Sequence, residues 1–230
     1  AELFAAEGAN LMLTDINEAS LKDVAEGIIA KGGKAKYHIA SVAEETEIDH
    51  LILATITEYG SFDIVVNNAG IMDDFMPVDQ LSSAQWQRVM NVNANGPFFL
   101  CRKAVQHFLT QGSGVILNIA SIGGLYGARA GAAYTASKHA LIGLTRNIGF
   151  MYANKGIRCN AIAPGGVNTN IGLNMHPNPF GAERCMSGGV NNPRMGEPQE
   201  IAKAALFLVS DDAGFINGSV LTIDGGWTAY

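Results

Sequence analysis

The sequence predicts an α/β protein built on a doubly wound parallel sheet. Two observations carry that prediction. Short apolar, β-rich runs alternate with longer stretches of helical spacing along the whole chain. Several of the runs are apolar nearly throughout, as expected of parallel strands buried on both faces. Alternation of this kind implies right-handed βαβ units. Ala1–Glu7 reads as the last two turns of a helix, stopped by Gly8. Strands follow over Asn10–Thr14, Lys34–Ile39, Asp63–Asn67, Gly114–Ala120, Ile157–Ala163 and Ser219–Ile223. Helices are expected over 17–31, 44–59, 82–109, 133–154 and 198–209, with Asn17 and Ser82 as N-caps and Gly32 and Gly60 as stops. No repeat, linker or second domain interrupts the pattern, so residues 1–230 read as one domain.

Composition bounds the function. The chain has 230 residues, 48% hydrophobic and 16% charged, which suits a compact globule with a sizeable core. A net charge of −6 and the lack of any Lys/Arg run argue against nucleic acid. No apolar stretch approaches the roughly 20 residues of a membrane span, and no signal peptide opens the sequence. Cys101, Cys159 and Cys185 are far apart and fit neither a disulfide framework nor a zinc site. A cytoplasmic protein in a reducing compartment is expected. The histidines His38, His50, His107, His139 and His176 lack metal-ligand spacing, and His139 and His176 read as surface or packing residues. Asp73-Asp74 reads as a solvated loop rather than a metal site. The Gly-x-Ser-x-Gly elbow of many hydrolases is absent.

The chemistry-bearing feature is Tyr134-Thr135-Ala136-Ser137-Lys138, preceded by Ser121. Residues four apart share a helix face, so the Tyr134 phenol and the Lys138 ammonium point the same way. A free phenol titrates near ~10 and is a poor acid or base at neutral pH. A cation about 4 Å away, at an effective dielectric of roughly 20, contributes on the order of 4 kcal/mol. That equals about three pKa units, enough to suit proton exchange with an alcohol or ketone oxygen. Each residue also has an ordinary reading: a packing tyrosine, a turn serine at a strand end, an asparagine bonding nearby backbone.

Several motifs fall in one order along the chain: Leu13-Thr14-Asp15, Asn67-Asn68-Ala69-Gly70, Asn91-Val92-Asn93, Ser121, Tyr134/Lys138, Pro164-Gly165-Gly166-Val167-Asn168-Thr169 and Asp224-Gly225-Gly226-Trp227. Together they resemble the short-chain dehydrogenase/reductase family, over essentially the whole chain. The resemblance implies a Rossmann-like fold and a catalytic set of Asn93, Ser121, Tyr134 and Lys138. Tyr134 would be the general acid/base and Ser121 would orient the substrate oxygen. Lys138 would lower the Tyr134 pKa and bond the nicotinamide ribose, and Asn93 would hold a water that connects Lys138 to solvent. No metal is needed.

The resemblance also assigns cofactor contacts. Asp15, ending the second strand of a dinucleotide fold, would accept hydrogen bonds from the adenosine ribose and repel a 2′-phosphate. No Lys or Arg stands beside it, so NAD is favoured over NADP. The bland reading of Asp15 is a strand-end carboxylate that caps the next helix. Ser41, with Val42, takes the place where the family commonly puts an aspartate against the adenine, which leaves that contact in doubt. Asn68, Ala69 and Gly70 would lie along the cofactor. Pro164, Gly165, Val167 and Thr169 would meet the nicotinamide end. Residues 170–197, rich in Gly, Pro and Asn with apolar side chains between them, read as a substrate lid. Gly123, Gly124, Leu125 and Tyr126 would form the opposite wall, with Met72 and Phe75 contributing.

The glycine-rich pyrophosphate loop, which should lie about 20 residues before the acidic residue, is absent, and the first strand with it. A fragment of a longer protein is expected; a truncated chain without cofactor, or a sheet filled by another segment, are the alternatives. The leading function is NAD(H)-linked interconversion of a secondary alcohol and a ketone on a small, moderately hydrophobic or cyclic substrate. A 3-oxoacyl-thioester reductase and a hydroxysteroid dehydrogenase stay open within the family. A cofactor-free, catalytically silent scaffold is the rival of another class. A homotetramer is expected, with helices 82–109 and 133–154 at one two-fold interface and the C-terminal strand with Trp227–Tyr230 at another.

Overall fold

The structure is a computed structural model, and it describes residues 1–229. After a short α1 (Glu2–Ala6), β1 (Asn10–Asp15), α2 (Glu18–Ala30), β2 (Lys34–Ile39), α3 (Glu45–Tyr59) and β3 (Ile64–Asn67) alternate as expected. Then come α4 (Ser83–Met90), a π-helical turn (Asn91–Asn95), α5 (Gly96–Gln111), β4 (Gly114–Ile119), α6 (Ala132–Met151) and β5 (Ile157–Pro164). The chain closes with α7 (Pro179–Met186), α8 (Pro198–Val209) and β6 (Val220–Ile223).

Every strand pairing is parallel, but the strands fall into two sheets rather than one. β1 pairs with β2 from Asn10↔Lys34 to Asp15↔Ile39. The other sheet has the order β3-β4-β5-β6, with Ile64↔Val115, Ile116↔Cys159 and Ala161↔Val220 in register. β1 and β3 are not hydrogen-bonded to each other, and Ile64 and Val66 of β3 are 38% and 40% exposed. Because all strands of a sheet run the same way, their carboxyl ends share one side. Asn67, the Ser121 turn and Pro164 therefore gather along one rim of the four-stranded sheet.

Burial explains the near-continuous apolar runs of β4 and β5. Ile116 faces a cluster with Ile48, Val65, Phe108 and Cys159, beneath α3 and α5. Its neighbour Leu117 faces Phe4, Ile162 and Leu208, beneath α1 and α8. Successive side chains point to opposite faces, so covering both faces with helices leaves no polar side. Gly114 opens β4 because a Cβ there would lie 2.1 Å from the Phe108 ring. Asn17 accepts from Ser20 N and Ser82 from Gln85 N, so both predicted N-caps are formed. Gly60 closes α3 in the left-handed conformation. One expectation is corrected. The helix foreseen over 82–109 is two helices joined by the π-helical turn. The segment 170–197, which breaks the strand–helix alternation in the sequence, contains α7 and two short 3₁₀ turns. Among the described residues, no helix is long and apolar enough to cross a membrane.

Candidate active site

β4 ends at Ile119, and the chain turns at Ser121 into a single 3₁₀ turn, where Ser121 Oγ accepts from Gly123 N at 3.0 Å. α6 returns across this turn and carries Tyr134 and Lys138 one turn apart on the same face. Both are buried, at 7% and 3% exposure. A Cβ at Gly123 would lie 3.4 Å from both Ser121 Oγ and Tyr134 Cε1, so glycine lets the serine and the phenol share one space. Lys138 Nζ donates to Ile119 O at 2.9 Å and lies 5.6 Å from the Tyr134 ring centroid.

The electrostatics depart from the expectation. Burial pushes the Tyr134 phenol above its ordinary value; Ser121 lowers it in part, and the Asp73 carboxylate raises it further. The depression foreseen from Lys138 does not dominate here. Desolvation disfavours both charged forms, and Lys138 itself is lowered by burial to about 8.

Asn93 is fully buried inside the π-helical turn, a distortion common at functional sites. Its amide bonds both backbone groups of Ile71, at 2.9 Å each, and donates to Ser137 Oγ at 3.2 Å. The side chain thus clamps the loop after β3 to α6. Gly70 stands at this clamp: a Cβ there would be 3.5 Å from Lys138 Nζ and 3.6 Å from Asn93 Oδ1. Asn67, at the end of β3, donates to Asn118 Oδ1, which sits on an amide that donates to Thr145 Oγ1, each at 2.8 Å. A buried polar chain therefore ties β3, β4 and α6 together. Asn93, Ser121, Tyr134 and Lys138 are brought together as the sequence foresaw.

One residue of this site escaped the sequence reading. Asp73 is not a solvated loop residue; it is fully buried and accepts from Gly131 N at 3.1 Å and Tyr134 N at 2.8 Å. These are orphan N–H groups of the first turn of α6, whose N-cap Gly131 has no side chain to satisfy them. A Cβ at Gly131 would lie 2.6 Å from Asp73 Oδ2 and 2.5 Å from Met76 N, so the cap comes from a distant loop and glycine makes room for it. The next two residues, Asp74 and Phe75, have φ of 57° and 55°. Left-handed backbone at non-glycine residues costs on the order of 1–3 kcal/mol each and clusters at functional sites. The available signal was a helix that begins on glycine with no capping side chain of its own.

The expected cofactor residues divide by location. Asp15 is exposed at the end of β1, and its Oδ1 accepts from Asn17 N at 2.9 Å. Asn17, not Asp15, caps α2. Ser41 Oγ accepts from Ala43 N, its backbone N–H donates to Glu47, and Val42 packs against Gly96. Asn68 and Ala69 are exposed beyond β3. Pro164 ends β5, and a Cβ at Gly165 would lie 2.8 Å from Asp224 Cβ. Val167 bridges Gly196, while Thr169 caps the following 3₁₀ turn. The 170–197 segment meets the Asp73–Phe75 turn through His176, Asn178 and Gly181 and leaves Leu173, Phe180, Met186 and Val190 largely exposed. An Asn178–Pro179 start to α7 was visible in the sequence as a cap followed by proline at the first helical position. Its proline-rich setting concealed it. Among the described residues no group of His, Cys, Asp and Glu could hold a metal.

A family model described as "Enoyl-(Acyl carrier protein) reductase" matches residues 1–228. The 3beta-hydroxysteroid dehydrogenase 2 of Eggerthella lenta is 44% identical over 229 residues, covering 99% of this chain and 88% of that protein. The chain belongs to the short-chain dehydrogenase/reductase family. Cyclohexanol dehydrogenase of an Acinetobacter species is 35% identical over 227 residues, with 99% and 88% of the two chains covered. The crystal structure of levodione reductase superposes with a TM-score of 0.90 at 33% identity, covering 99% of this chain and 92% of that one.

As a short-chain dehydrogenase/reductase the chain is an oxidoreductase acting on CH–OH groups, and the family's cofactor is NAD(P). The residues present fit such a group. Thr14 Oγ1, beside Asp15 at the end of β1, is buried and lacks a hydrogen-bond partner among the described residues. Gly70 leaves open space beside the Lys138 ammonium that any side chain would take.

Proposed function

We propose that the protein interconverts a cyclic secondary alcohol and its ketone with NAD(H). The observation that carries this reading is the convergence of Ser121, Tyr134 and Lys138 around Gly123 and Gly70 at one strand rim, with Tyr134, Lys138 and Gly123 buried. Tyr134 exchanges a proton with the substrate oxygen, and the Ser121 hydroxyl holds that oxygen in place. Lys138 keeps a positive charge beside the phenol, which favours the phenolate that accepts the proton of the alcohol, and it would bond the nicotinamide ribose of a bound cofactor. Asn93 keeps the loop after β3 against α6 and holds the water that joins Lys138 to solvent. When bound, NAD accepts the hydride or NADH supplies it. Asp15, Ser41, Val42, Asn68, Ala69, Gly70, Pro164, Gly165, Val167 and Thr169 would hold that cofactor, and the exposed Asp15 carboxylate would select against a 2′-phosphate.

A ring substrate is supported by the names of several relatives, a hydroxysteroid dehydrogenase, a cyclohexanol dehydrogenase and a levodione reductase. The apolar residues of the lid suit it, with residues 170–197 closing over the ring. A 3-oxoacyl-thioester substrate is the second reading, favoured by a 35% identical 3-oxoacyl-[acyl-carrier-protein] reductase of Chlamydia muridarum. We further propose a cytoplasmic homotetramer. Exposed Phe98 and Leu109 on α5, Phe150 and Met151 on α6, and fully exposed Phe215 near the C-terminal strand supply apolar surface for it. Tyr230, part of that expected interface, lies outside the described residues.

The test is a set of initial rates on the full-length protein with cyclohexanol, a 3β-hydroxysteroid and an acetoacetyl thioester, each with both cofactors. Turnover of a cyclic alcohol with NAD at far higher kcat/KM than with NADP is expected. Turnover of the thioester alone, or with NADPH preferred, would replace the reading with the second one. No NADH binding by fluorescence titration would leave a silent scaffold.

A further inference from the structure

Asp73 has a part in the site that the family's Ser-Tyr-Lys-Asn set does not include. Its carboxylate accepts from the Gly131 and Tyr134 N–H groups at the first turn of α6, the turn that bears Tyr134. Its own loop is held from three directions. Gln85, on α4, donates to Asp73 O at 3.1 Å and to Asp74 Oδ2 at 3.2 Å. Ala132 N, at the start of α6, donates to Met76 O at 3.0 Å. From the lid, His176 N donates to Asp74 Oδ1 at 3.1 Å and Asn178 N to Asp74 O at 2.8 Å. Asn178 Nδ2 reaches Gln80 Oε1 at 2.8 Å, and Gly181 packs directly on Phe75 O. The consecutive left-handed residues Asp74 and Phe75 turn the chain so that Asp73 faces α6 while Asp74 faces the lid. Strained backbone persists where its surroundings over-determine it, and here both surroundings are parts of the site.

We propose that Asp73 is a positioning residue for Tyr134, and that the Asp73–Phe75 turn is a bracket through which the lid and the proton-exchanging phenol are set together. The proposal rests on the functional reading above. Asp73 touches the backbone of Tyr134, so it acts through the helix turn and not on the substrate. Its charge also bears on the phenol, whose proton it favours. The other titratable groups around the pair, among the described residues, are Lys138 on α6 and the Cys185 thiol on α7, with the Ser121 hydroxyl also facing the phenol.

Asp73→Asn keeps the shape but turns one acceptor into a donor that faces a backbone N–H. With wild type turning over a cyclic alcohol in the same assay, the variant should lose about tenfold or more in kcat, because small misplacements of a reacting group are costly. NADH affinity should stay near wild type. The pH limb of kcat/KM assigned to Tyr134 should move to lower pH, since removing the neighbouring anion favours the phenolate. A merely structural cap would not move that limb. Where Asp73→Asn fails to fold, Gln85→Ala loosens the bracket from its outer side. It should lower kcat and increase proteolytic cleavage within 170–197 while thermal stability changes little. A folded Asp73→Asn enzyme with wild-type kcat and pH limb overturns the proposal, as does Gln85→Ala with unchanged kcat and cleavage. Absence of wild-type turnover would count against the functional reading instead.

Discussion

The two sheets are built differently. The four-stranded sheet is covered on both faces at its central strands β4 and β5, and its rim carries Ser121 and packs against the helix of Tyr134 and Lys138. The two-stranded sheet of β1 and β2 is only partly covered; Ile39 is 47% exposed, and Asp15 lies in the open at its end. Proton handling needs groups held within fractions of an ångström and shielded from water, which raises the weight of each charge. Recognition of a sugar by a carboxylate needs only an accessible acceptor at a strand end. The residues proposed for proton exchange therefore lie where packing is tightest, while Asp15, proposed to select the cofactor, stands exposed.

That contrast can be broken or sharpened by experiment. Tyr134→Phe removes the oxygen proposed to exchange the proton and nothing else, so turnover should fall by about 10²–10⁴-fold. NADH affinity by fluorescence titration should be nearly unchanged; retained turnover would move proton exchange to another group. Phe108→Ala should destabilise the covered sheet by about 3–5 kcal/mol in urea unfolding, because Phe108 is wholly buried against Gly114. A loss below about 1 kcal/mol would mean that this side of the molecule is no better packed than the other. Asp15→Ala should leave folding intact and reduce the NAD-over-NADP ratio of kcat/KM by about 10–100-fold, the worth of hydrogen bonds to a charged acceptor. An unchanged ratio would reduce Asp15 to a strand-end residue bonding Asn17 N. Asn17→Ala, at the start of α2 beside the open sheet, should cost about 1 kcal/mol in the same unfolding assay with kcat unaffected. Any larger effect on kcat than on stability would show that the open sheet bears on the chemistry.

Much of this was legible along the chain because it depends on local spacing. Parallel strands buried on both faces leave apolar runs, and those of β4 and β5 marked themselves to within a residue or so. The caps Asn17 and Ser82 were readable because capping is a contact over three residues. Tyr134 and Lys138 were readable because a helix turn puts them on one face. Asp73 was not: its partners lie 58 and 61 residues away, and a pair of aspartates in a loop looks solvated until the backbone folds α6 onto it. The Lys138 effect on Tyr134 was overestimated for a related reason. Spacing gives proximity but not the burial that raises the phenol and lowers the ammonium.

By itself, then, the sequence determined the order and direction of the elements and which side chains stand four apart on one helix face, while the ordered motifs carried the resemblance to the family. Those follow from periodicity, capping and residue type, all short-range properties of the chain. Only the tertiary structure decided that the helix at 82–109 is broken by a π-helical turn around Asn93. It alone put a remote carboxylate under the first turn of α6. These depend on which surfaces meet across long sequence separations, where burial rather than spacing sets the energy of every polar group.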